Sequence, residues 1–206
     1  MARELQQIQK LTFEEFLDWY PNDGSRYELI DGEVIEMRPI GDHEELAGLI
    51  TRKLDREIER LSLPYFIPKS CCVKPESAMD AYLPDVIVLD RQALQKEPLW
   101  KTASTIIYGS SAPLVVEIAS TNGQDDYACK LEDYEAMGIR EYWIVDYRAL
   151  DGKRFIGDPK QPTVSIYQLI DGRYQAQQFR ANDPVQSRIF SELVLGAQEI
   201  LNFSAS

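Results

Sequence analysis

Two nearly continuous apolar runs restrict what this chain can fold into: LPDVIVLD (residues 83–90) and APLVVEIAS (112–120). A strand with one face in water alternates polar and apolar residues. A strand covered on both faces has no need to, and becomes an unbroken stretch of Val, Ile and Leu. Two such strands require layers on both sides of one sheet. Between 42 and 61, Leu46, Leu49, Ile50, Leu54, Ile58 and Leu61 follow the three-and-four spacing of a helix with one apolar face, and Pro64 comes just after. That helix supplies part of the cover.

The remaining segments fill in the order. Thr12 with Glu15 three residues on forms a capping box, predicting a short helix over 12–20 that stops at Pro21. RYELIDGEVIEM (26–37) is two alternating runs about Asp31-Gly32, a hairpin signal, and TVSIYQLI and RYQAQQF (163–179) repeat the pattern about Asp171-Gly172. Residues 65–73 are expected to form one strand, and 91–108, with Pro98 and Trp100, a short helix and a loop. DDYACKLEDYEAMG (125–138) predicts a helix with Tyr127, Leu131 and Tyr134 on one face and Gly138 as its stop. IREYWIVDYR (139–148) is a further strand, and a final short helix follows FSELVLG. No repeat, low-complexity tract or linker divides the chain. The expectation is an α/β (α+β) fold, a mixed sheet with helices packed on it, as a single domain over 1–206.

Composition removes several functional classes. With one histidine, His43, a His-rich zinc site is excluded, and Cys71, Cys72 and Cys129 show neither CxxC spacing nor an even disulfide count. Any bound metal must take oxygen ligands, which favours Mg²⁺, Mn²⁺ or Ca²⁺. No apolar run approaches the roughly 20 residues needed to span a bilayer, and the N-terminus lacks a secretory signal, so a cytoplasmic protein with no membrane partner is expected. A formal charge of −12 argues against a basic nucleic-acid footprint over the whole surface, but it leaves room for a local one.

Glu117 is the most informative position, a carboxylate inside the apolar stretch LVVEIA. Burying it without a partner costs several kcal/mol or more, so a metal or an ion pair must offset the charge, and the strand alone leaves both open. Asp85 follows Pro84 at the entry to the other central strand, where it is either an ordinary turn residue or a second carboxylate converging on the same cation. Lys130 lies thirteen positions after Glu117, four after Asp126 and four before Tyr134. Its spacing favours a surface pair with Asp126, while its place beside the apolar stripe would let it reach over the sheet toward a phosphate. His43 is by itself a cap or surface group, or else a general base or phosphate contact. Glu28 is by itself a cross-strand pairing residue. Asp146 and Tyr142, beside Trp143, are expected to be structural, and Asp125-Asp126 to sit at a helix N-terminus.

The order of segments resembles the Uma-two family of restriction endonucleases, a branch of the PD-(D/E)XK nuclease superfamily. The matching stretches are RYELIDGEVIEM, His43 opening the long helix, LPDVIVLD, and PLVVEIASTNGQDDYACKLEDYEAMGIREYWIVDYR. The resemblance covers roughly 11–148 and, weakly, the tail beyond. It implies a restriction-endonuclease-like fold with a four-stranded mixed core, additional hairpins and a metal at one edge. Asp85 and Glu117 would be metal-binding carboxylates, with the main-chain carbonyl of Ile118 a further ligand. Glu28 matches an N-terminal acidic residue, and His43 the histidine at the start of the long helix. The superfamily's usual lysine lies two residues after the glutamate, where this chain has Ala119, and the family resemblance puts that role on Lys130. The expected function is Mg²⁺- or Mn²⁺-dependent endonucleolytic cleavage of DNA, with homodimerisation through sheet edges or hairpins. Two alternatives stand beside it: a non-catalytic interaction protein retaining the fold, and a metal-independent carboxylate-pair hydrolase such as a glycosidase.

Overall fold

The two apolar runs lie next to each other in the middle of a mixed sheet, and the structure, a computed structural model, describes residues 10–21, 23–119 and 126–203. Helix α1 (Phe13–Trp19) leads into the hairpin β1 (Arg26–Ile30) and β2 (Glu33–Met37), and then the long helix α2 (Gly41–Arg60). Strands β3 (Tyr65–Phe66), β4 (Cys72–Val73) and β5 (Val86–Asp90) precede α3 (Trp100–Ala103), β6 (Thr105–Ile106) and β7 (Leu114–Ile118). Helix α4 (Asp126–Met137), strand β8 (Glu141–Asp146) and helix α5 (Lys153–Ile156) come next. The hairpin β9 (Thr163–Ile170) and β10 (Arg173–Phe179) and helix α6 (Ala197–Leu201) complete the order.

The main sheet has six strands in the order β10-β9-β8-β7-β5-β3. β7 and β8 run parallel, and their outer partners are antiparallel. The alternation of side chains explains the unbroken apolar runs. Leu114, Val116 and Ile118 face one core together with Val86, Val88, Trp143 and Val145, beneath Leu46, Ile50 and Leu54 of α2. Val115 and Ala119 face a second core with Ile87, Leu89, Tyr142 and Ile144, against Tyr134 of α4. Both faces are covered, so nothing in these strands needs to be polar except where a polar group has another purpose.

Local signals fixed several boundaries. Thr12 caps α1 with the reciprocal Glu15 contacts of a capping box. Asp31 and Gly32, at φ +47° and +77°, make the tight turn of the first hairpin, and Asp171 and Gly172, at +51° and +77°, that of the second. The expected single strand over 65–73 is corrected to two short ones. Pro68 interrupts it, because a proline lacks the N–H a ladder needs. β3 therefore joins β5 and β4 joins β6 in a separate two-stranded sheet. The four-stranded core that the family resemblance implies is extended at both edges, by β3 and by β10. Strand β6 and helix α5, each of four residues or fewer, carried no sequence signal.

Two details set the site. The hairpin β1–β2 forms its own sheet but is strapped to the body through Leu29, whose N–H and C=O exchange hydrogen bonds with Ala81 at 2.9 and 2.8 Å. At the other end of the molecule, Gly109 allows the segment before β7 to press on the end of α4, since a Cβ there would meet the Met137 carbonyl oxygen at 2.3 Å. Among the described residues no helix is long and apolar enough to cross a membrane, and all three cysteines are free thiols.

Candidate active site

Five side chains expected from sequence to matter, Glu28, His43, Asp85, Glu117 and Lys130, are drawn from four elements and the residue just before β5 to one end of the sheet. Val86 pairs with Val116 across β5 and β7, so one residue further along the same register Asp85 stands opposite Glu117. Residues opposed in this way carry their Cβ atoms about 5 Å apart on one face. Asp85 ties the two strands together: its Oδ2 accepts a hydrogen bond from the Ile118 amide at 2.8 Å. It is therefore part of the strand ends and not simply a turn residue.

Glu117 is buried, and its Oε1 accepts from Lys130 Nζ at 3.2 Å and from the Tyr134 hydroxyl at 3.1 Å. Lys130 and Tyr134 are one turn apart on α4, so a single helix face delivers both donors. Lys130 Nζ also reaches Glu28 Oε1 and Oε2 at 2.9 and 3.2 Å, and lies 5.3 Å from the centre of the Tyr82 ring. With 4% of its surface exposed, Lys130 is a buried cation between two glutamates, which corrects the solvated-lysine reading that its spacing favoured. The side chain of Asp126, its expected surface partner, lies outside the described residues.

Glu28 is also redirected. Instead of pairing across its hairpin, Glu28 Oε1 accepts from the Leu83 amide at 2.7 Å, two residues before Asp85. His43, in the first turn of α2, is buried, with Nε2 2.9 Å from Asp85 Oδ1 at an angle short of a well-aligned hydrogen bond. It is neither a helix cap nor a surface residue.

The charges explain the protonation tendencies. Burial pushes Glu117 up most, Lys130 opposes it, and Asp85 and Glu28 push it up further, to about 7. Burial would lower Lys130, but Glu117 and Glu28 outweigh it and hold the ammonium charged. Burial also works against protonated His43, and the contact with Asp85, helped by Glu117, raises it above the ordinary histidine value. Tyr134 rises well above the usual phenol range through burial and then Glu117, so it stays a donor.

Three carboxyl groups thus face one lysine and one histidine, and with Glu117 ionised the site is short of positive charge even when His43 is protonated. Glu117 Oε2 has no hydrogen-bond partner among the described residues. The donor set is hard oxygen: Asp85, Glu117 and the main chain at Ile118. No cage of three or more His, Cys, Asp or Glu side chains occurs among the described residues. These residues suit a cation such as Mg²⁺, which takes one or two protein carboxylates and brings water for its other positions. They do not suit zinc.

Sequence reasoning missed Tyr134 and Tyr82 as parts of this cluster, assigning Tyr134 only to packing. The signal for Tyr134 was its i,i+4 relation to Lys130. Tyr82, whose hydroxyl donates to Asp133 Oδ2 at 2.6 Å, offered none. Asp146 accepts from the amides of Leu150 and Asp151 at 2.9 and 2.8 Å. Tyr142 and Trp143 are fully buried.

A mixed sheet flanked by helices, with acidic residues at adjacent strand ends and a lysine beside them, defines a restriction-endonuclease-like protein. The chain belongs to the Uma2 family, described as "Putative restriction endonuclease", whose model matches residues 13–198. Among solved structures it is similar to a "putative nuclease belonging to DUF820" from Anabaena variabilis, with a TM-score of 0.70 and 17% identity, over 94% of this chain and 98% of that one. No curated protein matches it.

Proposed function

We propose that the protein is a divalent-cation-dependent endonuclease that hydrolyses DNA phosphodiester bonds at the Asp85–Glu117–Lys130 cluster. The observation that carries this reading is the opposition of Asp85 and Glu117 across β5 and β7 in a cluster with an unbalanced negative charge. Family membership supports the substrate class.

Asp85, Glu117 and the Ile118 carbonyl would hold the cation. When bound, a hard divalent ion polarises a phosphoryl oxygen and acidifies a water. Lys130, fixed by two glutamates, favours the ionised form of Glu117 that a ligand requires and adds positive potential where charge develops on phosphorus. Tyr134 aims the Glu117 carboxylate, and His43 holds Asp85 from the opposite side. In the net reaction a water oxygen bonds to phosphorus, one P–O ester bond breaks, and the departing alkoxide takes up a proton.

The non-catalytic alternative draws on two features, the −12 charge and the saturation of Lys130 by two carboxylates. Incubating supercoiled plasmid with the protein in Mg²⁺, Mn²⁺ or EDTA separates the readings. Nicking is expected with either metal and not with the chelator. Glu117→Gln and Asp85→Asn should each lower it by about 10²–10³-fold at unchanged melting temperature. Cleavage that persists in EDTA, or is equal in all three proteins, refutes the proposal, and absence of nicking in every arm favours the non-catalytic protein.

A further inference from the structure

One face of β1 runs from core to site to rim. Ile30 packs against the second core, Glu28 enters the charged cluster, and Arg26 is next on the same side. Arg26 is half-buried, its Nε is out of contact with solvent, and that atom has no hydrogen-bond partner. Its guanidinium makes no ion pair among the described residues. This is unexpected in a chain with 34 acidic and 22 basic residues. Other arginines have found carboxylates: Arg60 holds Glu57 and Glu192, and Arg173 holds Glu135. The carboxylate next along its own face, Glu28, is already committed to Lys130 and the Leu83 amide.

A guanidinium stays charged and carries five donors in a planar fork that suits phosphate. Leaving the buried Nε donor unmet is costly unless an anion completes it. Two residues along a strand cover about 7 Å, the scale of the step from one backbone phosphate to the next. The end of the hairpin that bears Arg26 is also accessible, since Arg26 and its cross-strand partner Met37 are both only half-buried.

We propose that Arg26 binds a backbone phosphate of the nucleic acid adjacent to the one being cleaved. It would supply local positive charge that the acidic cluster lacks and set the register of the strand across Glu117 and Asp85. The proposal rests on the nuclease reading, and it makes Arg26 a binding residue and not a participant in bond breaking.

The test is anisotropy of a short fluorescent DNA duplex over a salt series in Ca²⁺, with plasmid cleavage and thermal melting in parallel, for wild type, Arg26→Ala, Arg26→Lys and the distant control Arg173→Ala. Arg26→Ala should weaken binding about tenfold and flatten the slope of log affinity against log salt by about one. Its kcat should stay within about threefold, because the lost interaction is made equally before and during reaction. Arg26→Lys should keep the slope and lose part of the affinity, and Arg173→Ala should match wild type. Arg26→Ala should melt no lower than wild type, since it removes an unpaired charge. Normal affinity and slope in Arg26→Ala, alongside wild-type cleavage, overturns this inference alone, as does a lowered melting temperature with affinity intact. A wild-type protein that neither binds nor cuts DNA overturns the nuclease reading and this inference with it.

Discussion

The parallel strands β7 and β8 each bury a glutamate, at opposite ends of the pair. Leu114 is in register with Glu141 and Glu117 with Ile144, so Glu141 opens β8 while Glu117 closes β7. Both are raised above the ordinary carboxylate value, burial being the first cause in each case. Their partners differ in kind. Glu141 Oε1 accepts from Trp143 Nε1 and Oε2 from the Arg188 amide, both at 2.7 Å, and Ser187 and the Ile189 amide contribute further. It is a closed set of neutral donors that fastens the C-terminal segment to the sheet. Glu117 has a cation, a phenol and two neighbouring carboxylates, and among the described residues one oxygen without a hydrogen-bond partner. Burial of a carboxylate is therefore no mark of function. What distinguishes the site is a charge its surroundings do not balance, at the strand ends where open α/β sheets present their ligands.

The largest effect expected from this difference falls on Lys130. Lys130→Met strands Glu28 and Glu117 together where both are buried, and breaking a buried pair in this way costs about 3–5 kcal/mol. Urea denaturation at pH 8 should show that loss. Adding Glu117→Gln to the same chain should recover a large part of it, because residues in one network do not act additively. Full additivity of the two changes would mean that the cluster is not electrostatically coupled. At the other end, Glu141→Ala leaves the Trp143 and Arg188 donors unmet at about 1–3 kcal/mol each, so a total near 3 kcal/mol is expected. Cleavage per folded molecule should be unchanged. A Glu141→Ala protein that folds normally yet fails to cut would erase the functional contrast between the two ends.

The same contrast shows what a sequence can disclose. Glu117 was conspicuous because it broke an apolar run, and the hairpins were legible because Asp31-Gly32 and Asp171-Gly172 carry positive φ at both turn positions. Glu141, after Arg140 at a strand start, carried no such signal, since the amide that completes its donor set comes from Arg188, 47 positions away. Glu28 and Lys130 were found as candidates, but their destinations were not. Alternation puts Glu28 on one side of a hairpin without saying what that side docks against, and helical spacing cannot distinguish a lysine beside Asp126 from one buried between two glutamates 102 and 13 residues away. Local rules set elements and faces; the closing of distant segments on one another sets the charge balance of the site.

A third buried carboxylate sharpens the comparison with the smallest effect. Asp151 follows the end of β8, the end at which the parallel β7 also exits, and is almost fully out of contact with solvent. Burial first, then Asp146, raise it to about 6, with Lys160 opposing. The folded protein thus holds this proton more tightly than the unfolded chain, whose value is the ordinary 3.8. Above pH 6 the folded state bears the whole cost of the charge, the cost shrinks as pH falls from about 6 toward 4, and below that it is gone. Asp151→Asn removes the charge, so it should stabilise the protein by about 1–3 kcal/mol at pH 8 and by no more than about 0.5 kcal/mol at pH 4. Thermal melts of both proteins across that range provide the difference directly, free of other titrating groups. Nuclease activity should not change, because Asp151 has no place in the Lys130 network. A variant less stable at pH 8 than wild type would mean that Asp151 is balanced by partners as Glu141 is.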